Sequence, residues 1–352
     1  MTERAKRLHE AAKQGVFHVT GGGSLFLAEM LSTPGASRTV LDVRVPYAET
    51  ALQQLLGKMQ ASACSDATAR ALAMSAYMQA RRLSSEATFG LGCTASLATD
   101  REKKGTHRAH IALQTEFATH ALAVKFSADR AAEEIALADA LWQFIGIVLG
   151  DAPPAETRST RGDPAWHALI SGAQKAWSSG VHDGRLLVPG SFNPLHEGHR
   201  QMVRIAEERT GLRAALELSI GNVDKAPLDY QEISDRLSKG HETLDRPFWL
   251  THAPTFAEKA ALFPGAIFVI GADTVVRIAE GKYYSDPAAR QDALGFLGEQ
   301  NIRFLVFGRL MGDRFRTLES LVLPAALSQL CEGISEREFR TDVSSSQIRS
   351  GA

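Results

Sequence analysis

Cysteine is scarce in this 352-residue chain: Cys64, Cys93 and Cys331 are odd in number, far apart and without any CxxC spacing. That excludes a disulfide framework and a thiolate zinc site, and points to reduced thiols in a cytoplasmic protein. Long apolar runs are missing too. No stretch reaches the roughly 18 residues of a transmembrane helix, so no membrane partner is expected. The N-terminal MTERAKRLHEAAKQG has a charged helical pattern and lacks the apolar centre of a secretory signal. An excess of one charge is also absent. With 39 Lys and Arg against 40 Asp and Glu, the formal net charge is −1, which argues against the broad basic footprint of a nucleic-acid binder. No internal repeat of about 20–50 residues is visible.

The composition, 44% hydrophobic and 22% charged, is that of a folded globular protein, and the length favours two domains. Residues 1–150 mix helical and strand patterns. Helices are expected at Glu3–Lys13, at SLFLAEMLS (24–32), at Thr50–Leu56, at Ser65–Leu83 with Ser65 or Asp66 as cap, and from Ser127 to about Leu149. A short apolar segment, Val16–Val19, follows the first helix, and strands are expected at Leu41–Val45, Ala87–Cys93 and Arg108–Gln114. The stretch DAPPAETRSTRGDP (151–164) has no apolar periodicity and suits a linker, followed by a helix over Ala165–Trp177. From Arg185 onward strands alternate with helices: strands at Ala214–Ile220, Phe248–Leu250, Ala266–Ile270 and Ile302–Phe307, helices at Gln231–Leu244 and Thr255–Leu262. Such alternation implies a parallel sheet with right-handed crossovers, whose ligands bind at the carboxyl ends of the strands.

The stretch RLLVPGSFNPLHEGH (185–199) carries the most chemistry. Leu186–Val188 reads as a buried strand, Pro189 and Gly190 end it, and Ser191-Phe192-Asn193-Pro194 makes a tight connection. Helical spacing starts at Gly198, with Gly211 as its natural stop. His196 and His199 therefore stand where a strand gives way to a helix, among free N–H groups and the positive end of a helix dipole, a setting that suits a polyphosphate. Gly190, Gly271-Ala272-Asp273 and the segment after Phe307 all fall at strand ends and can share one crevice. Ser344 and Gln347 have capping-box spacing, so Ser345, Ser346 and their amides would open a helix aimed at phosphate, with Arg349 one turn on.

The block GSFNPLHEGH (190–199) resembles the signature of the HxGH nucleotidyltransferase superfamily, which includes nicotinamide- and nicotinate-mononucleotide adenylyltransferases, pantetheine-phosphate adenylyltransferase and cytidylyltransferases. The block VSSSQIR (343–349) resembles its second signature, ISSTxIR. The resemblance covers roughly residues 185–352 and implies a Rossmann-like fold. It also implies transfer of a nucleotidyl group from ATP to a phosphate monoester, with His196 and His199 contacting the triphosphate. Gly190, Ser191, Phe192, Asn193, Ser345, Ser346 and Arg349 would bind the nucleotide, and Mg2+ would be carried mainly on the triphosphate. The stretches IGADTVVRI and PFWLTHAPTFAEKA look most like the pyridine-mononucleotide members; Asp273 and Trp249 within them, the former for substrate or magnesium and the latter for stacking on a pyridine ring, and Lys225 in NVDKAPL, for phosphate, are the candidate acceptor contacts. The alternatives are another acceptor, such as a pantetheine phosphate or an alcohol phosphate, or a nucleotide-binding sensor or scaffold.

The first domain, over VTGGGSLFLAEMLSTPGASRTVLDVRVPYAETALQQLLG, resembles the C-terminal domain of the competence-damage-inducible protein A family, whose active members deamidate nicotinamide mononucleotide. Thr20-Gly21-Gly22, Pro34-Gly35-Ala36-Ser37, Tyr47 and Leu55-Leu56-Gly57 match its pattern. His18 stands in the place of the nucleophilic serine, Val19 in that of the cysteine and Leu52 in that of the activating lysine. An amide hydrolase of this design needs nucleophile and base, so amidase activity is not expected. A structural or oligomerising role is, with a homo-oligomer in view, and phosphate binding by the glycine turn is the alternative. The expected fold class is thus α/β in two domains: an amidase-like domain (1–150), a linker and connecting helix (151–184), and a Rossmann-like nucleotidyltransferase domain with a parallel sheet (185–352).

Overall fold

A computed structural model describes residues 3–11, 13–57, 60–100, 105–221 and 227–341. The chain divides into two compact units. The first comprises 1–167 together with 224–233, and the second 168–223 with 234–352.

The first unit runs α1 (Glu3–Glu10), β1 (Gln14–Thr20), α2 (Ser24–Ser32), β2 (Val40–Arg44), α3 (Glu49–Leu56), α4 (Asp66–Leu83), β3 (Thr88–Ser96), β4 (His107–Gln114), β5 (Ala118–Phe126), α5 (Arg130–Ile145) and β6 (Arg158–Arg161). Its six-stranded sheet has the order β2-β1-β3-β4-β5-β6. The pairs β1/β2 and β1/β3 are parallel and the rest antiparallel. The alanines of α4 let that helix lie almost on the sheet. A Cβ at Gly90 would come 2.2 Å from the Ala73 carbonyl oxygen, and one at Gly92 2.2 Å from that of Ala69. The other face is covered by aromatic and aliphatic side chains of α2 and α5, Phe26, Leu137, Leu141 and Trp142, packed on Phe17 and Leu91.

Two features of this unit escape local sequence patterns. Strand β5 falls where the local pattern predicts no strand, and β6 lies within the stretch that reads as a linker. Strand β6 is a short, mostly exposed edge strand, so it has no buried face to create an alternation; only its ladder to β5 identifies it.

The second unit continues with α6 (Pro164–Ser171), β7 (Ala176–Ser178), β8 (Leu186–Pro189), α7 (Glu197–Thr210), β9 (Ala215–Ser219), α8 (Tyr230–Thr243), β10 (Phe248–Thr251), α9 (Phe256–Leu262), β11 (Ile267–Gly271), α10 (Ala272–Ala279), α11 (Pro287–Glu299), β12 (Arg303–Phe307), the hairpin β13 (Arg309–Met311) and β14 (Arg314–Arg316), and β15 (Cys331–Gly333). Helices α6 and α8 each begin within the first unit and continue into the second. The sheet order is β15-β12-β11-β8-β9-β10-β7, parallel except for edge strand β7. The helix expected over Ala165–Trp177 stops at Ser171, because Gly172 turns the chain at φ +78° and frees Ala176–Ser178 to pair with β10. From β8 the chain winds outward through β9 and β10, then returns to the other side of β8 through β11 and β12. The topological switch point lies between β8 and β11, where the carboxyl ends of parallel strands form a crevice.

Candidate active site

Strand β8 is fully apolar, Leu186 to Val188, and buried in the middle of the second sheet. Beyond it the Gly190 N–H donates to the Glu217 carbonyl at 3.0 Å, tying the end of β8 to β9. A side chain at Gly190 would strike the ring of Phe192, 2.7 Å from where a Cβ would stand. Phe192 adopts φ +45°, unusual for a non-glycine residue. Burial holds it there: 3% exposed, its ring meets Phe248 at 5.7 Å and His199 at 5.4 Å, both edge to face. Ser191 is exposed, and its carbonyl accepts from Arg236 Nη1 at 2.9 Å. Asn193 is half-buried in the turn that follows.

His196 caps α7 and His199 lies in its first turn. The two rings are 3.9 Å apart at their centroids. His199 Nδ1 accepts the His196 N–H at 3.2 Å, so its neutral ring carries the proton on Nε2. Both nitrogens of His196 are buried and have no hydrogen-bond partner among the described residues. Burial lowers the His199 pKa to about 3, with help from His196 and Arg309, while burial and then Arg309 lower that of His196. Two neutral imidazoles with unused hydrogen-bonding capacity thus flank the positive end of a 14-residue helix. An anion would reverse the electrostatics and favour their protonated forms.

Across the switch point, Asp273 stands in the first turn of α10, after Gly271. Arg309, at the start of β13, reaches toward it, Nε to Oδ1 4.0 Å, while its charge acts on both histidines. The fold therefore draws the ends of β8, β11 and β12 together, as their positions at strand ends require. Arg309 was missed as an individual residue; the available signal was its place just beyond the apolar run IRFLVF. Thr341 packs on the helix start as well, its Cγ2 3.2 Å from where a Gly198 Cβ would stand.

Trp249 is not brought to this place. Side chains alternate along β10, so Phe248 faces Phe192 while Trp249 faces the other side. There it packs on Phe263, centroids 5.1 Å apart, and Nε1 donates to His182 Nδ1 at 3.2 Å. Lys225, Ser345, Ser346 and Arg349 lie outside the described residues. Among the described residues no group of three His, Cys, Asp or Glu side chains is placed to hold a metal ion. No helix among them is long and apolar enough to cross a membrane.

In the first unit, His18 is fully buried, its Nδ1 3.2 Å from the Leu72 carbonyl, and burial lowers its pKa to about 4. Val19 and Leu52 are core residues. The start of α2 is occupied from within: Glu134 accepts from the Gly23 N–H at 2.6 Å, the Ser24 N–H at 3.2 Å and the Ser24 hydroxyl at 2.6 Å. An incoming phosphate would have to displace that carboxylate.

Residues 187–351 match the family described as cytidylyltransferase-like. The C-terminal part is a cytidylyltransferase-like domain of the HxGH nucleotidyltransferase superfamily. No curated protein matches the chain. Solved structures similar to its N-terminal part are competence-damage proteins. One, from Agrobacterium tumefaciens, is 17% identical, with 42% of this chain and 94% of that one covered and a TM-score of 0.33. Another, from Escherichia coli, is 17% identical, covering 38% and 78%, with a TM-score of 0.32. A third, from Enterobacter cloacae, is 16% identical, covering 42% and 90%, with a TM-score of 0.34. The cytidylyltransferase-like domain holds the paired histidines, Arg309 and Asp273.

Proposed function

We propose that the cytidylyltransferase-like domain transfers AMP from ATP to nicotinamide or nicotinate mononucleotide and releases pyrophosphate. The observation that carries this reading is the His196–His199 pair, neutral and partly unpartnered at the start of α7 beside Arg309. A phosphate oxygen of the acceptor attacks the α-phosphorus of ATP, a new P–O bond forms, and the bond to the β-phosphate oxygen breaks. Such a reaction asks the protein mainly to align the reactants and to stabilise negative charge as it builds on the leaving group. His196 and His199 would donate hydrogen bonds to phosphate oxygens, and Arg309 would offer a fixed positive charge on the same side. Ser345, Ser346 and Arg349 are assigned to the triphosphate, and Lys225 to the acceptor, by the sequence motifs alone. Asp273, the carboxylate beside Arg309, suits a water of a nucleotide-borne Mg2+ or the acceptor itself. The magnesium would supply charge neutralisation between phosphate oxygens.

The test is pyrophosphate release with magnesium and either ATP or CTP, using nicotinamide and nicotinate mononucleotides beside pantetheine and alcohol phosphates. His196→Ala is expected to lower kcat by about 100-fold or more. Undiminished transfer by that variant would defeat the assignment. Turnover only with another acceptor would replace the pyridine substrate, and ATP binding without turnover on any acceptor would favour a sensor.

A further inference from the structure

The second sheet has another end, where β8, β11, β12 and β15 begin. Strand β11 runs from Ile267 to Gly271, so this end lies roughly 13 Å along the strand from the crevice that holds the histidines. Here a cavity of about 470 Å³ opens between the strand starts and the last turn of α7. That is room for a small organic molecule.

The floor of the cavity is apolar: Ile267 and Leu305 line it and are 5% and 2% exposed. Arg303 stands directly across from Ile267 and two residues before Leu305, so the three share one face of the sheet. Glu332 stands across from Leu305 on the same face. Arg209 donates from Nε to Glu332 at 2.8 Å and from Nη1 to Glu338 at 3.1 Å.

Three arginines thus line one cavity, and only one of them is accounted for by its surroundings. Arg209 lies in the last turn of α7, where a cation complements the helix dipole, and two carboxylates neutralise it. Arg185 and Arg303 stand at strand starts, where there is no such dipole. Both are exposed, and neither guanidinium has a hydrogen-bond or ion-pair partner among the described residues. Their backbones are fixed on either side of β11: the Ile267 N–H donates to the Arg185 carbonyl at 2.8 Å, and the Arg303 N–H to the Ala266 carbonyl at 3.0 Å. Two strand spacings separate them, about 10 Å, a gap that two arginine side chains can close on one anion.

We propose that this cavity binds an organic phosphate monoester, its phosphate held between Arg185 and Arg303 and its apolar body resting on Ile267 and Leu305. A phosphate monoester places nearly two negative charges on a single group near pH 7, which matches two guanidinium forks. Glu332 at the rim disfavours a second anionic group on the same molecule. The site lies wholly within the second unit and is independent of the transferase reading.

The experiment titrates the full chain with phenyl phosphate, inorganic phosphate and succinate by calorimetry, and locates binding by amide hydrogen exchange. Phenyl phosphate is expected to saturate with a dissociation constant below about 1 mM and to bind several-fold more tightly than the other two. It should slow exchange over 303–305 and 330–333. Arg185→Met and Arg303→Met should each weaken it about tenfold, and Arg303→Lys, which keeps the charge and loses the fork, by less. These side chains are exposed, so the variants should fold as wild type does, which their melting temperatures check. His196→Ala should leave this binding intact. No saturation below about 1 mM would overturn the proposal, as would succinate or inorganic phosphate binding as tightly as phenyl phosphate. Binding that survives both methionine variants, or that is lost in His196→Ala and protects 190–199 instead, would equally overturn it.

Discussion

Replacing Lys259 with methionine should destabilise the cytidylyltransferase-like domain far more than a surface ion pair would. Lys259 on α9 and Glu217 on β9 are 4% and 1% exposed, with Nζ 2.6 Å from Oε1. Thr251 donates to the same oxygen at 2.5 Å. Methionine keeps the volume and removes the charge, leaving a buried carboxylate with the Thr251 hydroxyl but without its countercharge. Breaking one side of such a pair costs about 3–5 kcal/mol. For a domain of this size that is a fall of about 10 °C in melting temperature. The effect should extend to the candidate site, because the Glu217 carbonyl receives the Gly190 N–H. Adding Glu217→Gln removes the stranded charge and should bring the protein back to within about 2 kcal/mol of wild type. Urea unfolding of wild type, single and double variants measures all three. A loss under about 1 kcal/mol for Lys259→Met, or a double variant as unstable as the single, would refute the reasoning.

His18 gives a pH signature. Its folded pKa of about 4 lies below the ordinary 6.5, so between those values the unfolded chain binds the extra proton and stability rises with pH. The contribution, about 3 kcal/mol at most, is lost as pH falls through 6.5 to 4, and His18→Leu should flatten the urea-midpoint profile in that window. At the candidate site, an anion would raise the lowered pKa values of His196 and His199, so ATP affinity should rise as pH falls toward the acidic range. Calorimetric titrations across that range, in two buffers of different ionisation enthalpy, measure the accompanying protons, and net proton release or an affinity that falls with falling pH would contradict the assigned contacts. Glu134→Ala should destabilise the first unit by about 2 kcal/mol in urea unfolding, because three donors at the start of α2 lose their acceptor.

The sequence by itself determined what local periodicity encodes. Ser65 caps α4, the apolar spacing of SLFLAEMLS marks α2 at both ends, and RLLVPG followed by HEGH lays down strand, turn and helix in order. Each rests on residues within a turn or two of one another. Alternation of strands and helices also implied the parallel sheet, and with it the crevice at the ends of β8, β11 and β12. The tertiary structure alone decided the rest. Which face of β10 holds Trp249 depends on Phe192 and Phe263, neither within a turn or two of it in the chain. Arg309 became visible only when a strand end arrived beside two histidines more than a hundred residues earlier. Edge strand β6 has no pattern without β5, and Glu134 meets the glycine turn across 111 residues. The grasp of Arg70 on Asp229 spans 159. Hydrophobic period is a property of neighbours in sequence, whereas a partner for a buried charge is a property of the packed fold.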